Sequence, residues 1–382
     1  MVRGSSPLRC ILYVIIRDYV SKKISLLAQT EESFAKAIHT LLGKGKLHAS
    51  LLYQEFFRTG LLTGSQPAFK NAQALRSAIL DALEISLLPL ASQTADGNTG
   101  KFLLKTRDDL EIEAVQIPMQ SGGTLCISSQ VGCRMGCAFC ETGRMGLLRN
   151  LTVEEIVAQV FMARHQLKFS FRNIVFMGMG EPLDNYDAVM QAVQVLNDPK
   201  GFGFGRKRMT ISTSGCVDGI EKLSNLKGQA PNLAVSINAP TDELRNLLMP
   251  VNRKYDLKTL HEAMRTYCAV TGRQILIAYV LLKDQNDQIE HAALLAEFLK
   301  GLNVKINLIP YNSQSRDRFQ TPSLENLEAF TNYLRTQGYY TLLRVSKGEE
   351  IMAACGQLGN LKLRRQMFEK QKASRLSSSL LP

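Results

Sequence analysis

The stretch TLCISSQVGCRMGCAFCETGRMG, residues 124–146, constrains this chain more than any other. It sets Cys133, Cys137 and Cys140 in the order C-x3-C-x2-C. Thiolates suit iron–sulfur clusters, and a loop this compact can aim three of them at one cluster. A [4Fe–4S] cluster ordinarily takes four cysteine ligands. Three close cysteines without a near fourth therefore predict one iron left open, as catalytic metal sites keep a position free for substrate. A structural zinc site and buried core cysteines are the alternatives. Zinc wants a fourth ligand, and neither Cys nor His follows Cys140 until His165.

A chain of 382 residues can bury a large core and hold one large domain with appendages. With 45% hydrophobic and 21% charged residues it reads as soluble and globular. The net charge of +12 favours a polyanionic partner such as RNA, although charge of this kind also serves solubility alone. Eight cysteines, scattered outside the triplet, argue against a secreted disulfide framework. The apolar run at 10–16 ends at Arg17-Asp18 without a small-residue cleavage site and is too short to span a bilayer. The expectation is a buried helix or strand there, no membrane partner, and a reducing cytoplasm.

Residues 1–95 read as a small helical N-terminal domain. Apolar residues recur at helical spacing over 27–43 and 68–88, with Gly43, Gly45, Gly60, Gly64 and Pro67 as punctuation. Lys44, Lys46, Arg58, Lys70 and Arg76 make this part basic, which suits RNA contact and a solvated helical surface equally. SQTADGNTG, residues 92–100, reads as a polar linker or loop tip, and 96–120 as a linker with a β-hairpin extension. Strands are expected over 102–105, 110–118 and 124–128. From 121 to 350 helices and strands alternate. The pairs are 153–165 with 173–177, 186–196 with 209–213, 218–223 with 233–238, 257–270 with 275–282, 291–302 with 304–309, and 324–337 with 340–345. Such units imply a parallel sheet with right-handed crossovers. Six of them predict an α/β fold, a partial (β/α)6 TIM-like barrel, with its chemistry at the carboxyl ends of the strands. Residues 351–382 are left as a C-terminal segment carrying Cys355 and a basic tail at 362–375, read as a frayed helix and disordered end suited to RNA.

The motifs fall at those strand ends. The cysteine loop follows the first barrel strand. The second runs into Gly178-Met179-Gly180-Glu181-Pro182, where glycines permit close backbone approach and the Glu181 carboxylate suits an ammonium group. The third ends in Ser212-Thr213-Ser214-Gly215, the fourth in Ser236-Ile237-Asn238, and the sixth runs through Pro310 and Tyr311 to Asn312. Each polar group also suits a helix cap. Four around one rim are more than caps explain. GFGFGRKRM, residues 201–209, precedes a strand instead of linking strand to helix, so it fails as a dinucleotide fingerprint and reads as a basic loop. Cys216 and Cys268, isolated in apolar settings, read as core cysteines.

The cysteine spacing, with Phe139 before the last cysteine, resembles the radical S-adenosylmethionine (SAM) superfamily, in which the open iron holds the amino and carboxylate groups of SAM. Further features narrow the likeness: Cys126 seven residues before Cys133, the runs SSQVGC and GMGEPLDN, the STSG turn, and ACGQL around Cys355. Across residues 100–360 these resemble the RlmN/Cfr family of RNA methyltransferases, in its adenine-C2 branch. The resemblance implies a barrel of the radical SAM type. It also implies a [4Fe–4S] cluster on Cys133, Cys137 and Cys140, and SAM contacts from Gly180, Glu181, Ser212, Ser236, Ile237, Asn238 and Asn312.

The activity implied by this resemblance is methylation of C2 of an adenine in 23S rRNA and in tRNA, with two SAM per turnover. That carbon lies between two ring nitrogens, is electron-poor and does not attack a SAM methyl group, whereas a carbon radical adds to it. In the implied scheme Cys355 takes a methyl group from one SAM, and a second SAM is cleaved by the reduced cluster to a 5′-deoxyadenosyl radical. The radical removes hydrogen from methyl-Cys355, and the resulting methylene radical adds to C2. Attack by Cys126 on the sulfur of Cys355 then releases the product and leaves a transient disulfide. Glu113 matches the family's proton acceptor; the alternative is an exposed strand carboxylate, with Cys126 itself taking the C2 proton. The target base must be flipped or taken from a loop. An electron donor such as flavodoxin and a monomeric state are expected. Family members often carry His at Asn238 and Glu at Ala278. Methylation at adenine C8 shares the same cysteines, and a non-catalytic iron–sulfur RNA-binding protein is the third reading, against which the pairing of Cys126 with Cys355 argues.

Overall fold

The computed structural model describes residues 23–119, 122–314, 318–344, 348 and 350–360. The apolar run at 10–16 and the basic tail at 362–375 lie outside them. The chain divides into two compact units. One takes Gln194–Gly203 with the described residues up to Leu87; the other takes Leu88–Val193 with the described residues from Phe204 onward.

In the first unit, β1 (Ile24–Ser25) precedes helices α1 (Glu31–Leu42), α2 (Lys46–Thr59) and α3 (Gln73–Asp81), and β2 (Leu83–Glu84) returns to pair with β1 in parallel. Thr30 caps α1 by accepting the Ser33 N–H, two acids occupy its first turn, and Gly43 closes it in the left-handed conformation at φ +70°. Phe34, Ile38, Leu52, Tyr53 and Phe57 are fully buried, with the Tyr53 and Phe57 ring centroids 4.4 Å apart. Two expectations change here. Helix α2 goes unread in the sequence, and the pattern over 68–88 supports only the nine residues of α3 before the chain extends into β2. Lys44, Lys46, Arg58 and Lys70 are exposed, whereas Arg76 is half-buried.

The second unit opens with an antiparallel meander: β3 (Leu90–Asp96), β4 (Thr99–Lys105) and β5 (Glu111–Ile117). Of the two expectations for residues 92–100, linker or loop tip, the second holds, with the turn at Gly97-Asn98. These residues form a hairpin closed by Asp96 opposite Thr99, and β3 is polar because it is an exposed edge strand. Strand β5 runs antiparallel to β6 (Thr124–Cys126), which starts the barrel. A small ribbon of β7 (Gln130–Val131) and β8 (Arg149–Asn150) comes next, flanking α4 (Glu141–Met145). Then α5 (Val153–Phe161) leads to β9 (Asn173–Phe176), α6 (Tyr186–Asn197) to β10 (Met209–Thr213), and α7 (Val217–Ser224) to β11 (Asn232–Ser236). Helices α8 (Asp242–Leu248) and α9 (Leu257–Thr271) lead to β12 (Ile275–Leu281), α10 (Ile289–Phe298) to β13 (Val304–Pro310), and α11 (Leu324–Thr336) to β14 (Thr341–Leu343).

Strands β6 and β9 to β14 are parallel, each beside its predecessor, in a ten-stranded sheet bounded by β14 and β3. That unreversed order is the walk of a (β/α) barrel and not of a doubly wound sheet. Among the described residues the barrel is partial: β3 and β14 end the sheet and do not pair with each other. Along β12, Ile275, Ile277, Tyr279 and Leu281 are fully buried and alternate with half-buried residues. The sequential walk collects the carboxyl ends of all seven parallel strands on one rim.

Candidate active site

The β7–β8 ribbon, with Gln130 opposite Asn150 and Val131 opposite Arg149, pinches the base of the cysteine loop. Two glycines are required within it. Gly132 sits at φ +77°, where a Cβ would stand 1.8 Å from the Gly146 carbonyl, and a Cβ on Gly143 would stand 2.9 Å from the Cys137 nitrogen. The loop is pinned by backbone bonds from Cys133 to Gly146 (3.1 Å) and from Ala138 to Leu248 (2.9 Å). Phe139 anchors it in a cluster with Leu248, Met249, Leu282 and Tyr311, against which Cys137 and Cys140 pack. Burial pushes all three thiols up, and the charge of Cys137 and Cys140 adds to the effect at Cys133, as Cys140 does at Cys137. The three sense one another, and metal charge would deprotonate them. Among the described residues no three His, Cys, Asp or Glu side chains form a group suited to a single ion. Thiolates of this kind are the donors that iron–sulfur clusters take, each on a different iron. The residues present fit the cluster.

Glu181, 3% exposed, stands after β9. One oxygen accepts both the N–H and the O–H of Ser214 at 2.8 Å, and the other accepts the Leu183 N–H at 3.1 Å. Burial nevertheless holds its carboxyl above the usual range, and among the described residues no Lys, Arg or His pairs with it. Its charge also reaches Cys133 and Cys137. A buried carboxylate that lacks a cation beside the cluster thiols is what the ammonium of SAM would complete. Gly180 (φ +105°) lets the chain pass Gln130, whose side chain accepts the Glu181 N–H at 2.8 Å. Ser212 and Ser236 are half-buried at the ends of β10 and β11, and the Ile237 N–H bonds the Ala278 carbonyl. Asn238 takes the left-handed conformation at φ +56°, and its amide oxygen accepts the Val280 N–H at 2.7 Å.

The parallel strands also line a cavity of about 500 Å³, which runs from Thr124, Thr210 and Leu276 near their amino ends to Gly178 and Asn312 beyond their carboxyl ends. Its wall includes Cys126, Cys140, Gly178, Asn312 and Cys355. Cys126 ends β6, is buried, and is pushed up to about 12, first by burial and then by the charge of Cys355. Cys355 is exposed, and Asn312 donates to its carbonyl at 3.0 Å. The two cysteines remote in sequence therefore share one space beside the cluster loop. Cys216 and Cys268 are only half-buried, so neither is the core cysteine expected. Glu113 is no exposed carboxylate. It is 4% exposed, lies outside the cavity wall, and pairs with Lys101 at 2.6 Å.

Residues 127–296 match the Radical SAM superfamily. The probable dual-specificity RNA methyltransferase RlmN 1 of Protochlamydia amoebophila (strain UWE25) is 64% identical over 342 residues, 90% of this chain and 96% of the relative. The chain belongs to the RlmN family of radical SAM RNA methyltransferases. The dual-specificity RNA methyltransferase RlmN of Geobacter sulfurreducens is 42% identical over 321 residues, 83% of this chain and 88% of its own length. A crystal structure of a radical SAM methyltransferase from Sphaerobacter thermophilus superposes with a TM-score of 0.81 at 37% identity, covering 87% of this chain and 98% of that one.

Within this RlmN-family fold, residues that carry little sequence signal hold the rim together. Arg245 is fully buried on α8. It donates to the carbonyls of Ile237 (3.1 Å), Ser214 (2.6 Å) and Ser236 (3.2 Å) and to the Asn252 side chain (2.9 Å). It thereby joins the ends of β10 and β11, and burial pulls its guanidinium down to about 10. Only its position four residues after the Thr241 cap hints at an inward face. Gln314 likewise links the two halves of the site, bonding the carbonyls of Phe139 and Gly356.

Proposed function

We propose that this protein methylates C2 of an adenine in 23S rRNA and tRNA, with Cys355 carrying the methyl group and Cys126 releasing the product. Family membership supports RNA methylation by radical SAM chemistry. The observation that carries the residue roles is the single cavity on which both cysteines lie, beside Cys140 of the cluster loop. When bound, SAM supplies the methyl group and, with an electron from the cluster, the radical that activates it. Cys133, Cys137 and Cys140 hold the cluster; Glu181 pairs with the SAM ammonium; Gly180, Ser212, Ser236 and Ile237 shape the rim around it. Asn238 and Asn312 act mainly on the protein side, since their amides bond Val280 and the Cys355 carbonyl. Cys355 loses its thiol proton as it takes the methyl group. Once that carbon is joined to adenine and C2 has lost its proton, the Cys126 thiolate attacks the Cys355 sulfur. The electron pair of the breaking sulfur–carbon bond stays on the carbon, which takes a proton to become the methyl group, and a Cys126–Cys355 disulfide forms.

A cavity of about 500 Å³ accommodates a single base, so the target adenine enters it flipped or from an unpaired loop. A cytoplasmic monomer reduced by a flavodoxin-type donor completes the reading; no helix among the described residues is long and apolar enough to cross a membrane. The test is mass spectrometry of nucleosides from 23S rRNA and tRNA incubated with the reconstituted enzyme. 2-Methyladenosine is expected from both. 8-Methyladenosine would move the protein to the sister activity, and SAM turnover without any methylated nucleoside would refute methylation.

A further inference from the structure

The segment that bears Cys355 is held at both ends by one pair of residues outside the cavity. Lys101 on β4 lies opposite Val115, and Glu113 on β5 lies opposite Leu103, so the two are diagonal neighbours on one face of the sheet. Lys101 is 9% exposed and Glu113 is 4% exposed. Their charged atoms stand 2.6 Å apart, an ion pair without the alignment of a hydrogen bond. A single charge so deeply buried is costly, and pairing offsets it. The remaining valences go to the Cys355 segment. Lys101 donates to the Met352 carbonyl at 3.0 Å, and the other Glu113 oxygen accepts the Gly359 N–H at 3.0 Å. Met352 is held at φ +52°, a conformation that a side-chain-bearing residue keeps only where its surroundings impose it.

Between these two anchors the segment is fastened to the cluster loop and the end of β13. The Glu141 N–H bonds the Gly356 carbonyl at 2.8 Å, Thr142 bonds the Leu358 carbonyl, and Gln357 donates to the Ser313 carbonyl at 2.6 Å. We propose that Lys101 and Glu113 are positioning residues, a buried latch that fixes the 352–359 segment so that Cys355 stays on the cavity opposite Cys126. This rests on the role of Cys355 proposed above. It gives Glu113 a task other than proton acceptance: one oxygen is committed to Lys101 and the other to the Gly359 amide, so the proton leaving C2 needs another base. The geometric gain is large, because methyl transfer to a thiol and attack on that same sulfur both depend on near-attack placement.

The test compares Glu113→Ala, Glu113→Gln, Lys101→Met and the paired Lys101→Met/Glu113→Leu variant in the full-length reconstituted protein. The paired variant removes both charges together and leaves no lone buried charge to unfold the chain. Hydrogen exchange over 352–360, measured without RNA or turnover, should rise about tenfold or more in each Ala, Met and paired variant, and less in Glu113→Gln, whose amide oxygen still accepts the Gly359 N–H. Formation of methyl-Cys355 should slow alike in Lys101→Met and Glu113→Ala, the paired variant should be no worse than either, and no protein–RNA adduct should accumulate. If exchange over the segment is unchanged in the paired variant, the latch is wrong. It is equally wrong if Glu113→Ala forms methyl-Cys355 normally and then stalls as a covalent adduct while Lys101→Met does not, the signature of a lost proton acceptor. Failure of the underlying reading looks different: Cys355→Ala would still methylate RNA, whatever the exchange data say.

Discussion

Two thiols line one cavity wall and differ sharply in exposure. Cys126 is buried and held neutral, whereas Cys355 is exposed on a loop. In the proposed roles the exposed one meets the methyl donor, and the buried one attacks the sulfur brought to it. Their removal should therefore have different consequences. Cys355→Ala has no sulfur to methylate and should give neither methylated RNA nor a covalent adduct. Cys126→Ala should accept the methyl group and join to the base, then stall, because no placed thiolate remains to attack the thioether. The stalled species should run as a shifted band on a denaturing gel and collapse on nuclease treatment. Normal turnover by Cys126→Ala would overturn the assignment. The wild-type release step carries its own signature. With the Cys126 thiol pushed up to about 12, its thiolate fraction grows about tenfold per pH unit between pH 7 and 9, so single-turnover release should accelerate in proportion. A release rate flat across that range would mean that Cys126 loses its proton in some other way.

At the scale of elements, the cysteine loop is shaped by α4 and the β7–β8 ribbon, and Gly143 is a point of close approach within it. A Cβ there would press on both the nitrogen and the carbonyl oxygen of Cys137, at 2.9 and 3.0 Å, and backbone cannot move aside as a flexible side chain does. Gly143→Ala should lower the iron bound per chain after anaerobic reconstitution by about half or more, with circular dichroism near that of the wild type, since the loop lies outside the barrel strands. Full iron loading would show that the loop yields. The same loop shows what a sequence can disclose. Its cysteines are close in sequence, and so are the residues of each barrel strand, whose apolar runs between helical patterns mark the parallel sheet. Strand β3 is hidden because an exposed edge strand carries polar residues and reads as a linker or loop tip. Helix α2 is hidden because Leu47, 64% exposed, and Leu51 put apolar residues on the face opposite the one that buries Leu52, Phe56 and Phe57, which blurs its periodicity. Lys101 carries no local signal and Arg245 only its place four residues after the Thr241 cap: each acquires its role from carbonyls outside its own element. Glu113 is legible as a position, through family likeness, while its ion pair with Lys101 depends on the register of β4 against β5.

For the whole molecule the governing quantity is charge. A polyanion binding a chain of net charge +12 releases counterions, so affinity for RNA should fall steeply with salt. Whether the N-terminal unit takes part can be read from the slope. Lys44, Lys46 and Lys70 are exposed there and form no ion pair among the described residues, whereas Arg58 donates to the Pro199 carbonyl at 3.1 Å and is better left in place. Replacing the three lysines with Gln removes charge without touching the buried aromatic cluster, so thermal stability should hold within about 0.5 kcal/mol per site. If this unit guides RNA, the triple variant should bind tRNA more weakly at low salt. The magnitude of the slope of log K against log salt should also drop by about 0.7 to 0.9 for each phosphate no longer neutralised. The proposed methyl-Cys355 chemistry lies on residues of the other unit, so formation of that species without RNA should proceed at the wild-type rate. An unchanged affinity with an unchanged slope would make these lysines a solvated helical surface and leave RNA binding to the barrel unit.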